Sequence, residues 1–269
     1  MPDYPEDELD RYAAFALDVL GAAGDTALAH FRQQPEVRDK SATGAPFDPV
    51  TVADRAAEDL IRARIAAQFP DHGILGEEGG LGRGASRWGW TIDPIDGTRA
   101  FLAGFLHWGM LLALTHDGVP VLGVVHQPFT GETWWGGAAE SHYRRGGHHQ
   151  AIRTRSCPEA ARAILASTDP YLFAGAEATA FDRVRRAVRL TRYGTDCYAY
   201  CMLASGHVDL VVESGLGPWD VQALVPLVEG AGGRITDWQG QPCTGGGRVV
   251  AAGDRALHAW ALAQLAEAS

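Results

Sequence analysis

Apolar side chains recur at three- and four-residue steps between residues 7 and 32, at Leu9, Tyr12, Phe15, Ala16, Val19, Ala23, Ala27 and Phe31. This spacing predicts one long amphipathic helix. A second helical pattern runs from about Val52 to Phe69 and gathers Leu60, Ile61, Ile65 and Phe69 on one face. The KSATGAPFDP stretch between them reads as loop, because glycine, proline and small polar residues break both periods. After Pro70 the pattern shortens to β-type runs near 88–93, 108–115, 119–127 and 132–136, separated by turn chemistry such as Asp117-Gly118. These predict a helix-covered, mainly antiparallel sheet.

From about residue 160 strand and helix alternate: AILAS, a helix over 177–188, RLTRY, a helix over 196–206, VDLVV, a helix over 219–230, RITD, RVVAAG and a last helix from 254. Such alternation predicts an α/β half with several parallel strands. The turn-rich stretch near 144–160 is the best boundary. It divides the chain into an N-terminal α+β half over 1–150 and a C-terminal, mostly parallel α/β half over 151–269. Two halves in one chain place the expected site in the cleft between them.

Composition narrows the function. The 269 residues are 46% hydrophobic and 21% charged, the balance of a soluble globule with ample core. No apolar run approaches the roughly 20 residues of a membrane helix, and the acidic start MPDYPEDELD lacks the features of a secretory leader. A cytosolic protein with no membrane partner is expected. Thirty-three acidic against 23 basic side chains give a net charge of −10, so a general electrostatic footprint for nucleic acid is missing. Cys157, Cys197, Cys201 and Cys243 include no CxxC pair and read as reduced, partly buried thiols. His148-His149 reads as part of a polar, solvent-facing loop, and the tryptophans as core or interface.

The chemistry concentrates in Trp90-Thr-Ile-Asp93-Pro-Ile-Asp96-Gly97-Thr98. A β-run ends at Asp93, Pro94 fixes φ and removes a donor, and a carboxylate returns three residues on. Gly97 and Thr98 could open a short helix with free N–H groups aimed at an anion. Paired hard oxygens beside a phosphate-sized anion hole are what a Mg²⁺-dependent phosphoryl site requires, and the Ile95 carbonyl, exposed in such a turn, is a further donor. The same residues also fit an Asp-Pro turn with Asp96 as a helix N-cap. Glu77 and Glu78 end the apolar run Ile74-Leu75, and Asp220 opens an apolar helix after Pro218-Trp219. Asp54, three residues after Thr51, fits a capping box as well as it fits a site.

Taken in order, Lys40, DPVTVAD ending in Asp54, GEE at 76–78, DPIDGT at 93–98 and the distant GPWD ending in Asp220 resemble the inositol monophosphatase superfamily over about residues 36–240. RYGTDCYAY, LVVESGLGPWD and EGAGGRITDW are most similar to its histidinol-phosphate phosphatase branch. The resemblance implies a layered α-β-α-β-α sandwich, a homodimer and a Mg²⁺-dependent phosphomonoesterase. One Mg²⁺ would sit on Glu77, Asp93 and the Ile95 carbonyl, a second on Asp93, Asp96 and Asp220, and a third, looser ion on Glu77. Thr98 oriented by Asp54, or Glu77 itself, would take a proton from the attacking water. The Gly97 and Thr98 amides would hold phosphoryl oxygens, and Lys40 matches the family's loop lysine.

The same resemblance bears on the substrate. Asp196 stands where inositol-hydrolysing relatives carry a small apolar residue, and Glu213 stands at a position the family uses to contact the substrate's organic part. Two acids would complement the ammonium and imidazole of L-histidinol phosphate. The competing role for Asp196 is to cap the helix over 196–206. An inositol-1-phosphate or broad sugar phosphatase of the same superfamily is the alternative enzyme, and a catalytically silent binding or regulatory protein the alternative class.

Overall fold

The computed structural model describes residues 6–33, 37–39, 49–137 and 139–266. Helices α1 (Glu6–Leu28) and α2 (Val52–Gln68) lie where the three- and four-residue spacing places them, and a short hairpin between them pairs β1 (Val37–Asp39) with β2 (Pro49–Thr51). Helix α2 starts on a capping box: Thr51 Oγ1 accepts the Ala53 N–H at 3.1 Å, and Asp54 Oδ2 accepts the Thr51 N–H at 2.8 Å. Lys40 lies outside the described residues.

The next strands are β3 (Gly73–Gly76), β4 (Gly80–Gly82), β5 (Trp88–Asp96), β6 (Gly109–His116), β7 (Val119–Gln127), β8 (Glu132–Gly137), β9 (Ser141–Arg145) and β10 (His148–Ile152), with helix α3 (Thr98–Ala103) leaving the end of β5. They form an eight-stranded sheet in the order β10-β9-β8-β7-β6-β5-β3-β4, antiparallel except where β3 meets β5. β9 and β10 occupy part of the stretch expected to be a turn-rich boundary. Gly146-Gly147 is only their hairpin turn, and the exposed polar residues of an edge strand conceal its period. His148 and His149 therefore lie on a strand, and the His149 ring stacks on Trp135.

The second sheet contains β11 (Ile164–Ser167), β12 (Leu190–Tyr193), β13 (Leu210–Leu216), β14 (Arg234–Asp237) and β15 (Gly247–Ala252), in the order β12-β11-β13-β15-β14. Its helices are α4 (Ala176–Ala187), α5 (Asp196–Ala204), α6 (Pro218–Val221), α7 (Leu224–Gly230) and α8 (Arg255–Leu265). β11 pairs parallel with β12 and β13, as helix-strand alternation requires, but β15 pairs antiparallel with β13 and β14. The half is mixed because no helix separates β14 from β15, and a chain that turns straight back pairs antiparallel.

Alternation along the strands sorts the core into layers. Met110, Leu112 and Leu114 of β6 pack with α1 and α2, whereas Leu111 and Ala113 face α5 and α7. Val211, Val249 and Ala251 of the second sheet meet the same two helices, and Val212, Val250 and Ala252 turn toward α4 and α8. The outcome is the layered α-β-α-β-α arrangement. Helix α5, in the middle layer, lies within the helix expected over 196–206 and buries Cys197, Ala199, Tyr200, Cys201 and Leu203. All four cysteines are free and buried. Among the described residues, no helix is long and apolar enough to cross a membrane.

Candidate active site

Residues three apart in a regular strand point to opposite faces, yet Asp93 and Asp96 face one another. Pro94 between them has no N–H to give β6, and the register slips there: Asp93 stands opposite Leu111 and Asp96 opposite Gly109. Three steps on β5 thus match two on β6, and the bulge returns Asp96 to the side of Asp93. A second bulge delivers the third acid. β13 slips against β15 between Glu213 and Leu216, with Gly215 at φ 82°, and the chain turns through Gly217 and Pro218 into α6. There Asp220 Oδ2 accepts the Gly217 N–H at 2.6 Å. Carboxylate oxygens of Asp93, Asp96 and Asp220 lie within 4.8 Å of one another. Helix α6 is fastened to β5 by Thr91 Oγ1, which donates to Gln222 Oε1 at 2.6 Å, and Gln222 Nε2 continues to the Thr244 carbonyl at 2.8 Å.

Glu77 enters from the turn between β3 and β4, where its N–H is held by the Ile92 carbonyl at 3.2 Å. It lines a cleft of ≈ 340 Å³ with Thr98, Arg99, Asp196, Trp219 and Asp220. Thr98 Oγ1 donates to the Ile95 carbonyl at 3.0 Å and lies 3.5 Å from Asp54 Oδ1. One Asp54 oxygen thus closes the helix cap while the other is turned to Thr98. Gly97 precedes α3 at φ 82°, and a Cβ there would lie 2.8 Å from the His107 carbonyl, so the turn admits only glycine.

Asp196 is the first residue of α5, and its side chain does not cap the helix: Thr195 is the N-cap, with no side-chain cap hydrogen bond. Asp196 lines the cleft and a small recess behind it shared with Asp96, Glu213 and Asp220. Glu213 is buried at the back of that recess. Its Oε1 accepts the Thr168 N–H at 2.8 Å and the Thr168 hydroxyl at 3.1 Å, while Oε2 has no hydrogen-bond partner among the described residues. Asp93, Asp96 and Asp220 thus cluster, Glu77 and Asp196 line the adjoining cleft, and Glu213 lines the recess.

Burial and mutual repulsion dominate the electrostatics. Burial, then Glu77, Asp96 and Asp220, hold the Asp93 carboxyl well above the usual range. Burial and Asp196 push Asp96 up to about 7. Asp196 is likewise pushed up to about 7 by burial, against the opposing pull of Arg99. Burial also raises Asp54 and Glu213. Such a cluster stays ionised only when positive charge joins it. The donors are all oxygens, and the nearby Cys197 thiol is held protonated by burial. That donor chemistry fits hard divalent cations such as Mg²⁺.

Sequence reasoning missed Arg99 and Thr168 in the cleft, Gln222 behind it, and Glu58, whose carboxylate holds the turn that carries Glu77. Only Glu58 leaves a trace in the sequence, as an acid one turn after Asp54 on the buried face of α2 beside Ala57 and Ile61. Arg99 lies in α3, a helix too short to show a period, and Thr168 in the bend after β11, so neither is marked in the sequence.

The sequence profile of the Inositol monophosphatase family matches residues 8–269. The chain is 42% identical over 269 residues to the bifunctional phosphatase IMPL2, chloroplastic, of Arabidopsis thaliana, covering 96% of this chain and 76% of that protein. It is 34% identical over 213 residues to the histidinol-phosphatase of Mycobacterium tuberculosis, covering 78% and 82%. A solved inositol monophosphatase from Zymomonas mobilis is 41% identical and superposes with a TM-score of 0.85 over 98% of this chain and 100% of that one. Profile, relatives and fold agree with the acid cluster, and the chain is a phosphatase of the inositol monophosphatase family.

Proposed function

We propose that the protein hydrolyses L-histidinol phosphate to L-histidinol and phosphate as a Mg²⁺-dependent phosphomonoesterase. The observation that carries the substrate is the acidic recess: Asp196 at its mouth and Glu213 at its back, the latter with an Oε2 unpartnered among the described residues. An ammonium drawn to Asp196 would supply countercharge to the acids around the recess, which at ≈ 20 Å³ admits a group no larger than that, whereas a neutral polyol would bring none. Relatives named histidinol-phosphatase in Mycobacterium tuberculosis and Chlorobaculum parvum, each 34% identical, support the same substrate.

Glu77, Asp93, Asp96, Asp220 and the Ile95 carbonyl would hold the cations. When bound, Mg²⁺ neutralises charge developing on the phosphoryl and leaving oxygens and acidifies water. The protein's own groups supply geometry and proton handling. Thr98, backed by Asp54, orients the attacking water and can pass a proton inward, because burial raises the proton affinity of Asp54. Glu77, facing the same cleft, is the second group placed to accept that proton. Gly97 and Thr98 line the cleft at the α3 entrance, and their amides would hold phosphoryl oxygens.

The test compares kcat/KM for histidinol phosphate and inositol 1-phosphate, with and without chelator, in the wild type and in Asp196→Ala. Metal-dependent preference for histidinol phosphate is expected. Asp196→Ala should lower that preference about 10- to 100-fold, the order of one charge-assisted contact. Equal losses on both esters would remove the case for a cationic substrate. Preference for the inositol ester would move the protein to the inositol phosphatases, and no metal-dependent phosphate release from any monoester would leave a binding protein.

A further inference from the structure

Glu58 is 1% exposed, and its carboxylate faces the backbone of a turn. It lies one helical turn after Asp54 on the inner face of α2. Its Oε2 accepts the Glu78 N–H at 2.8 Å, and its Oε1 accepts the Gly79 N–H at 2.9 Å and the Arg62 Nε–H at 2.6 Å. Arg62, a further turn along, donates from Nη2 to the Gly80 carbonyl. One face of α2 thus grips three consecutive residues directly after Glu77. From the other side the Ile92 carbonyl, one residue before Asp93, holds the Glu77 N–H.

The two glycines of the GEEG segment fit this clamp for reasons of space. A Cβ on Gly76 would lie 2.2 Å from Glu58 Oε1, and one on Gly79 would lie 2.8 Å from the same atom. Both backbones are bare so that the carboxylate can press against the turn. With two amides and a guanidinium on it, the Glu58 carboxylate is fully engaged, which separates it from the acids that face the cleft.

We propose that Glu58, steadied by Arg62, is a positioning residue that presets the Glu77 carboxylate for a divalent cation. This rests on the reading of the acid cluster as a cation site. It adds that the site is aimed from outside by one face of α2, whose Asp54 turns to Thr98 and whose Glu58 turns to the Glu77 loop.

The experiment titrates Mg²⁺ into the metal-free full-length protein, following binding heat and thermal stabilisation, for the wild type, Glu58→Gln and Arg62→Met. Glutamine keeps the shape and one acceptor oxygen but sets an amide N–H₂ against donors. The Mg²⁺ concentration for half-saturation should rise about 10-fold or more in Glu58→Gln, the order expected when an outer partner of a metal ligand is lost. Arg62→Met, which leaves the turn amides on Glu58, should raise it by a smaller factor, about 2- to 5-fold on the same scale. Half-saturation unchanged in both variants, with only the metal-free melting temperature lowered, would overturn the proposal and leave Glu58 a structural anchor. If Glu58→Gln does not fold, Arg62→Met decides alone: a shift supports the proposal and no shift overturns it. A wild type that binds no Mg²⁺ would overturn the cation reading together with this one.

Discussion

Removing divalent cations should make the protein's stability fall with rising pH, and restoring them should cancel the fall. Asp96 and Asp196 are each pushed up to about 7, and Asp93 is held well above the usual carboxylate range. A carboxyl raised in the folded state keeps its proton where the unfolded chain has lost it. Its stabilising contribution is therefore fully present below about pH 4 and is lost as pH rises through about 7. A rise of about 3 units corresponds to about 4 kcal/mol for one group; solvent at the cleft wall screens part of this, so about 2–4 kcal/mol is the working figure. In a chain of this size that is roughly 5–15 °C in Tm. His258, lowered to about 4 by burial, and His126, lowered for the same reason, act oppositely, adding stability as pH rises toward 6.5. They lie outside the acid cluster, so the difference between Mg²⁺-loaded and chelated protein isolates the acids. Thermal melts at pH 5, 6, 7 and 8 with Mg²⁺ or chelator should show a gain from Mg²⁺ that grows with pH. Each proton displaced should strengthen apparent binding about 10-fold per pH unit between pH 5 and 7, and calorimetry in two buffers of different ionisation enthalpy counts those protons. An equal Mg²⁺ gain at pH 5 and pH 8, with no proton release, would refute this electrostatic account.

Two further outcomes separate chemistry from scaffolding. Asp93→Asn should abolish turnover yet stabilise the metal-free protein by about 1 kcal/mol or more near pH 7, because Asp93 must take up a proton to be buried beside Glu77, Asp96 and Asp220 and asparagine need not; activity assays and melts check both, and a lower metal-free Tm would count against it. Thr51→Ala should cost about 1 kcal/mol of stability through the lost cap, with a smaller effect on kcat, whereas Thr98→Val should lower kcat about 100-fold with little change in Tm; the opposite pattern would separate Asp54 from catalysis.

Helices α1 and α2 were legible because burial on one side leaves a period in the sequence, and β6, buried on both faces, was legible as a short apolar run. The edge strand β10 and its neighbour β9 left none, their residues being mostly polar and, in β10, exposed. The acids were legible as a set, through DPIDGT, GEE and PWD, but their meeting was not. It depends on two bulges, at Pro94 and near Gly215, which shift register by one residue and are invisible to a count of spacings. Arg99 and Thr168 could not be singled out either, since what makes them part of the cleft is the approach of the second sheet's loops to the first.

That approach is held by an unusually direct link. Asp96 Oδ2 accepts the Cys197 N–H at 2.6 Å, at the first turn of α5, and the residue before that amide is Asp196. Asp196 has φ 39°, a left-handed conformation that costs a non-glycine residue on the order of 1–3 kcal/mol unless its surroundings impose it. The Asp96 carboxylate helps impose it, turning Asp196 into the cleft instead of along the helix, while also belonging to the acid cluster. A cation drawing on Asp96 and a substrate ammonium drawing on Asp196 would therefore act on one hydrogen-bonded unit that spans both sheets. On the proposed reading, metal loading and recognition of the substrate's organic part would be coupled through the Asp96 carboxylate: a change at Asp96 should disturb both, and a change at Asp196 should disturb recognition directly and metal loading only through the relief of its repulsion on Asp96.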